Sequence, residues 1–378
     1  IARYLVRTRF FTTLNLLGLS IGLACCLIIY SFVSNELSYD RFHRNGNHIY
    51  RVIRQSEMSN MPYNIGITSG PFAEALQLDY GDRIQQVTRA MVFDGLVQHQ
   101  DKLFIEERLL LADKNFFSFF SYPLAYGDPA SVLSSPGSIV LTRALATKYF
   151  GDEDPVGKNI RLENEYDLQV TGVMDNLPGN THLQFDAIAS LALVENEAWY
   201  KEWWNNSTNT YVQVDSEDNV NYLRASFPKF MDKYFGKDFE RVGNRIALDL
   251  EPLQEIYFNY DTRYDRNIAH GDKRYVTIFV SIGVMLLLLA AMNYINLATA
   301  QASQRSKEVG IRKTLGSTKK GITLQFLSEA FFLCMVSLFI GVAIAQLAIP
   351  VLNIHFGLSI PDVFQAGKLI YFLPVLLI

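Results

Sequence analysis

Six cations crowd the stretch QRSKEVGIRKTLGSTKKGITLQFL, residues 304–327. They are Arg305, Lys307, Arg312, Lys313, Lys319 and Lys320, and they face a single acid, Glu308. Side chains of this kind bind anionic surfaces or an acidic partner. Ile311 and Leu315 stand four apart, the spacing that stacks two side chains on one helix face. Gly310 removes a side chain where another backbone can come close. The spacing therefore predicts a short helix over 308–315, lying along a membrane surface. It would present an apolar ridge beside Arg312 and Lys313. The plainer role for the same cations is to sit among anionic headgroups and fix the topology of the chain.

Other chemistry is weakly signalled. GDEDPVGKN, residues 151–159, resembles a phosphate-binding loop, but it has five residues between its glycines and Asn159 where Ser or Thr is needed. It reads as a turn between strands. The histidines, at 43, 48, 99, 182, 270 and 355, show no metal-ligand spacing with carboxylates, so surface or packing roles are expected. The three cysteines, Cys25, Cys26 and Cys334, all fall in apolar runs, which leaves the large central stretch without disulfide, thiolate metal site or Cys nucleophile. No nucleophile-elbow motif is present. Trp199, Trp203 and Trp204 with Tyr200 form an aromatic group that serves either core packing or a ligand platform.

These residues must be positioned by membrane helices. Phe10–Asn35, Tyr275–Gln304 and Ala330–Pro361 carry no charge, and each exceeds the roughly 20 residues needed to cross a bilayer. Leu369–Ile378 begins another apolar run. The sequence starts at Ile1 and stops inside that run, so both ends read as edges of a longer chain. Residues 34–274 hold 24 basic and 35 acidic side chains. A short basic loop retained inside and a large acidic domain outside obey the positive-inside rule, and that acidity argues against nucleic-acid binding. Gly18 and Gly22 form a small-xxx-small pair for helix packing. Asn293, Asn296 and Glu329 are polar groups in or near the spans, with Glu329 expected to accept from either Asn or a loop Lys. Ile1–Phe11 fits an amphipathic helix at the inner surface.

Between the spans, HIYRVIRQS (48–56) alternates as a strand, PFAEALQL begins a helix at Pro71, and 82–92 returns as a strand. A second such unit follows: strand 211–215, helix 220–235 and strand 245–253. Leu141–Phe150 reads as a short helix capped by Thr142. The expected fold is an α+β membrane protein with a ferredoxin-like βαβ/βαβ layer and a β-rich lobe inserted at about 93–204. The boundaries are 1–33, 34–274 and 275–378.

KEVGIRKTLGS (307–317) followed by QFLSEA (325–330) resembles the cytoplasmic-loop signature of FtsX-like ABC permeases. NFF at 115–117, PGSIVLT at 136–142 and FGDEDPVGK at 150–158 are similar to the MacB-type periplasmic core, as are VTGV at 170–173 and NLLGLSIGL at 15–23. The resemblance spans essentially the whole chain. It implies a multi-pass permease subunit of the bacterial inner membrane, with its large domain in the periplasm. The permease would transmit ATP-driven movement to extrude a peptide, drug or lipoprotein. ATP would be bound and hydrolysed by a separate cytoplasmic ABC ATPase subunit, with no cofactor bound directly. That ATPase would be met by Glu308, Gly310, Ile311, Arg312, Lys313, Leu315 and Gly316. Further expected partners are a second permease copy or homologous half, membrane lipid, and a periplasmic or outer-membrane protein. The alternative is a membrane-anchored periplasmic sensor or binding protein with no ATPase.

Overall fold

The computed structural model describes residues 9–58, 61–236 and 246–364. The segment expected to be amphipathic, Ile1–Phe11, falls largely outside them, as does the run Leu369–Ile378. The chain divides into two compact units, Ser38–Asp272 and the two stretches Ile1–Leu37 and Lys273–Ile378.

The first helix, α1, covers Arg9–Glu36. The globular unit then runs β1 (Ile49–Met58), β2 (Met61–Ile65), β3 (Thr68–Ser69), α2 (Pro71–Tyr80), β4 (Gln86–His99) and β5 (Lys102–Ala112). It continues with α3 (Phe116–Phe119), β6 (Leu124–Tyr126), β7 (Ser138–Thr142), α4 (Arg143–Phe150), β8 (Asn159–Leu162) and β9 (Tyr166–Met174). Last come β10 (Ala187–Ser190), β11 (Asn206–Gln213), α5 (Glu217–Phe235), β12 (Ile246–Pro252), α6 (Leu253–Ile256) and β13 (Thr262–Arg263). These strands join in the order β13-β2-β1-β11-β4-β5-β10-β7-β9-β6, with β12 also on β1, β3 on β11, and β8 bridging β4 and β9.

The order β12-β1-β11-β4 is antiparallel throughout. Helices α2 and α5 share a core with it: Phe72 and Leu76 meet Leu223, Phe227 and Phe230 over Val52, Val212 and Leu250. Pro71 opens α2, where a missing N–H costs nothing. Ser216 caps α5, accepting from the Asn219 N–H at 3.3 Å. Trp203 extends this core, stacking on Tyr234 with ring centroids 4.7 Å apart.

A second core lies under α4, where Leu145, Tyr149 and Phe150 pack with Ile139, Leu141 and Val170. Thr142 caps α4 as its sequence predicts, accepting from the Leu145 N–H at 3.3 Å. Residues 151–159 follow α4 and lead into β8. Helix-loop-strand is the reverse of the strand-loop-helix order that a phosphate-binding loop requires; the run joins a helix to a strand, not two strands. A third core, rich in Phe, gathers Phe116, Phe119, Phe120, Tyr122 and Phe185.

In the helical unit, α7 spans Lys273–Thr314 and α8 spans Lys319–Phe356. Three stretches, Thr13–Glu36, Lys273–Asn293 and Lys319–Phe356, are long and apolar enough to cross a membrane. Both α7 and α8 pack on α1. A Cβ on Gly18 would lie 2.9 Å from Asn293 Nδ2, and one on Gly22 would lie 3.2 Å from the Ala290 Cβ. Gly341 of α8 presses closer to the main chain: a Cβ there would stand 3.0 Å from the Ser20 carbonyl oxygen. Leu23, Cys26 and Leu27 of α1 are buried with Leu338 and Ala345 of α8.

Candidate functional site

The basic loop is a helical hairpin. No separate helix forms over 308–315: α7 runs unbroken from Lys273 through Thr314, so this half of the loop is the end of the second long helix. Gln, Arg, Lys and Glu are good helix formers, and a lone Gly310 is tolerated. The helix stops at Gly316, whose φ of +90° is left-handed and suits a glycine. Its N–H donates to the Lys313 carbonyl at 3.1 Å. Thr318 then starts α8, its hydroxyl accepting from the Gly321 N–H at 3.2 Å. Lys319 and Lys320 fill the first turn of α8, where positive charge opposes the helix dipole. Helix stability does not place them there.

Ile311 is 61% and Leu315 79% exposed, so the apolar ridge is present and uncovered. Nothing lies within 4 Å of a Cβ built on Gly310, so no close approach inside the described chain explains that glycine. Lys313 is exposed. The side chains of Glu308 and Arg312 lie outside the described residues. Glu329 accepts from Gln325 Nε2 at 3.2 Å, one turn earlier in α8. Asn293 and Asn296 are both exposed, and the Asn293 amide nitrogen lies beside Gly18.

Sequence spacing missed a buried charge network in the globular unit. Asp40, four residues beyond α1, is fully buried with φ +56°. His182 Nδ1 lies 2.9 Å and His43 Nε2 3.6 Å from its Oδ1. Burial opposes ionisation of Asp40, but the two imidazoles more than offset this and hold its carboxyl well below the usual range. His182 Nε2 is 3.0 Å from the Tyr211 hydroxyl. Tyr211 is the cross-strand neighbour of Arg51. Arg51 is fully buried and pairs with Glu251 at 2.7 Å and Asp265 at 2.9 Å; Asp265 in turn lies 3.3 Å from His270 Nε2. Burial disfavours the Arg51 charge, and the two carboxylates raise its pKa despite that.

Main-chain bonds run alongside. Asp40 N donates to the Asn180 carbonyl at 2.9 Å, and Ala269 N donates to the His182 carbonyl at 2.8 Å. The segment just after α1 and the segment just before α7 are thereby fastened through residues 180–184. The partners are far apart in sequence, so local spacing could not find them. One signal was available: Arg51 shares a strand face with Ile49 and Ile53, and an arginine in an apolar stripe needs buried carboxylates. Among the described residues, no group of three or more His, Cys, Asp or Glu could hold a metal ion.

Two family models match the chain in tandem. The family model for the MacB-like periplasmic core domain matches residues 12–230, and that for the FtsX-like permease C-terminal region matches 280–378. The macrolide export ATP-binding/permease protein MacB of Neisseria gonorrhoeae is 24% identical over 61% of this chain and 33% of its own length. The pyoverdine export ATP-binding/permease protein PvdT of Pseudomonas syringae pv. tomato is 25% identical over 89% of this chain and 49% of its own. The chain thus spans half or less of the length of these curated relatives. A crystal structure of a domain assigned to a permease protein of Porphyromonas gingivalis superimposes with TM-score 0.50 and 20% identity, over 62% of this chain and 97% of that one. One model over most of α1 and the larger part of the globular unit, and one over the basic hairpin and most of its helices, leave one conclusion: the chain belongs to the MacB/FtsX-like permease family.

Proposed function

We propose that this chain is the permease component of an ABC transporter in the bacterial inner membrane. It passes ATP-driven movement from a cytoplasmic ATPase subunit to its periplasmic domain. The ATPase binds and hydrolyses ATP; the permease binds no cofactor of its own. Its task is export or extrusion, and the macrolide and pyoverdine in the relatives' names belong to those proteins.

One observation carries this reading. The helix that begins at Lys273, directly after the globular unit, continues without a break to the basic turn at Gly316. At 1.5 Å per residue it is about 63 Å long, twice the roughly 30 Å hydrocarbon core. A partner that grips Ile311, Lys313 and Leu315 therefore holds the end of the same helix whose first residue, Lys273, follows the last residue of the globular unit in the chain. In that unit we read β12-β1-β11-β4 with α2 and α5 as a ferredoxin-like layer, and residues at about 93–204 as an inserted lobe; the antiparallel order and the shared core support this. Phe279, Leu288, Phe339 and Leu347, exposed on α7 and α8, suit lipid or a second permease copy or homologous half.

The test is ATPase stimulation in a reconstituted complex. Arg312→Glu with Lys313→Glu should abolish stimulation by the permease while leaving membrane insertion intact. Full stimulation by the double variant would refute the docking role.

A further inference from the structure

The sheet forks near its β13 end. Strands β1 and β11 pair only over Ile49–Arg51 and Tyr211–Gln213; beyond that, β2 takes β1 and β3 takes β11. A cleft of about 580 Å³ opens at the fork, lined by Arg54, Tyr63, Trp204, Asn206, Tyr264 and Glu202 among others. Nothing in the transport reading uses it.

Its polar groups are incompletely satisfied. Arg54 Nε donates to the Ile67 carbonyl at 3.1 Å, and among the described residues no carboxylate pairs with this guanidinium. Burial pulls Arg54 down to about 10, with only the Tyr63 and Tyr264 hydroxyls acting the other way. A half-buried cation without a counter-ion is costly, and an arriving anion relieves that cost. Asn206 Nδ2 is spent on the Trp204 carbonyl at 3.0 Å, yet its Oδ1 is buried with no donor among the described residues. Glu202, exposed at the rim, is a second acceptor.

The walls are aromatic. Trp204, 53% exposed, and Tyr264, 65% exposed, both line the cleft. Tyr264 has φ +62°, a left-handed conformation rare for a bulky residue and typical of ligand clamps. The Arg263 guanidinium lies 4.4 Å from the centroid of the Tyr63 ring, a cation–π contact.

We propose that this cleft binds a small carboxylate bearing an aromatic or apolar body and an N–H donor, the chemistry of an N-acylated amino acid or the end of a peptide. The carboxylate sits on Arg54, the body lies between Trp204 and the tyrosines, and the N–H reaches Asn206 Oδ1 or Glu202. The inference stands on the globular unit alone and uses no ATPase, so it survives or fails independently of the transport reading.

Saturation-transfer NMR and calorimetry on the full chain in lipid nanodiscs test it, with N-acetyl-phenylalanine as probe and its uncharged amide as control. The acid should bind at least about tenfold more tightly than the amide, as expected for a charge-assisted pair. Arg54→Gln should erase that difference. Trp204→Ala, on an exposed ring and with unchanged circular dichroism, should weaken both probes. Equal binding of acid and amide, wild-type affinity in Arg54→Gln, unchanged affinity in Trp204→Ala, or no transfer to the acid would each overturn the proposal.

Discussion

His43 occupies an exacting position. Its Nδ1 accepts the Ser121 N–H at 3.1 Å, so the folded state needs that nitrogen unprotonated. Burial lowers its pKa below 6.5, and Asp40 only partly restores it. A folded pKa below the unfolded one contributes stability that is complete above about pH 6.5 and is lost as the pH falls. Thermal melts of the full chain should therefore be flat at high pH and decline below about 6.5. His43→Asn, whose amide oxygen can take the place of Nδ1, should flatten that decline. Arg51 sets a larger stake, because it has no access to water. Arg51→Met would strand Glu251 and Asp265 in the core and should cost about 3–5 kcal/mol, read as a lowered melting temperature.

At the scale of elements, the best-read features were those with a local cause. The alternation at 48–56 became β1, Pro71 opened α2, and Thr142 capped α4. What escaped was settled at long range. No local pattern ties Asp40 to His182 or Arg51 to Asp265. The β4–β5 hairpin turns through Gln100 at φ +51° with no glycine to announce it, and the strand read over 82–92 in fact runs from Gln86 to His99. The spacing of Ile311 and Leu315 predicts a separate short helix over 308–315, whereas nothing in the run breaks a helix before Gly316, so it continues α7. Helix packing was legible at Gly18 and Gly22 but not at Gly341. The neighbour of Gly18 is the tip of a movable Asn293 side chain; that of Gly341 is the Ser20 main chain. Gly341→Ala should thus lower thermal stability in detergent more than Gly18→Ala, and equal effects would contradict the close approach of α8 to α1.

Along the chain, an acidic globular unit and a basic hairpin are joined by membrane-length helices, and the proposed transport role fixes which compartment each faces. With Cys25, Cys26 and Cys334 replaced by Ala, a membrane-impermeant thiol reagent added to intact cells should label Ser131→Cys and spare Ser317→Cys. The reverse pattern would invert the topology and remove the hairpin from the compartment that supplies ATP. Family membership was legible in a few short runs, chiefly 307–317 and 150–158, because the resemblance is carried there by contiguous residues. Cargo was not, because no run of residues in this chain marks one.

The seamless α7 also has a rotational consequence. Each residue added to an α-helix turns everything beyond it by about 100°. One alanine inserted between Met292 and Asn293 would leave the rod intact yet swing Ile311 and Leu315 to a different azimuth, silencing the ATPase response. Seven inserted alanines, nearly two full turns, would bring the ridge back to within about 20° of its bearing and restore part of the signal. A response that follows this phase, not the added length, would identify α7 as a shaft working in torsion.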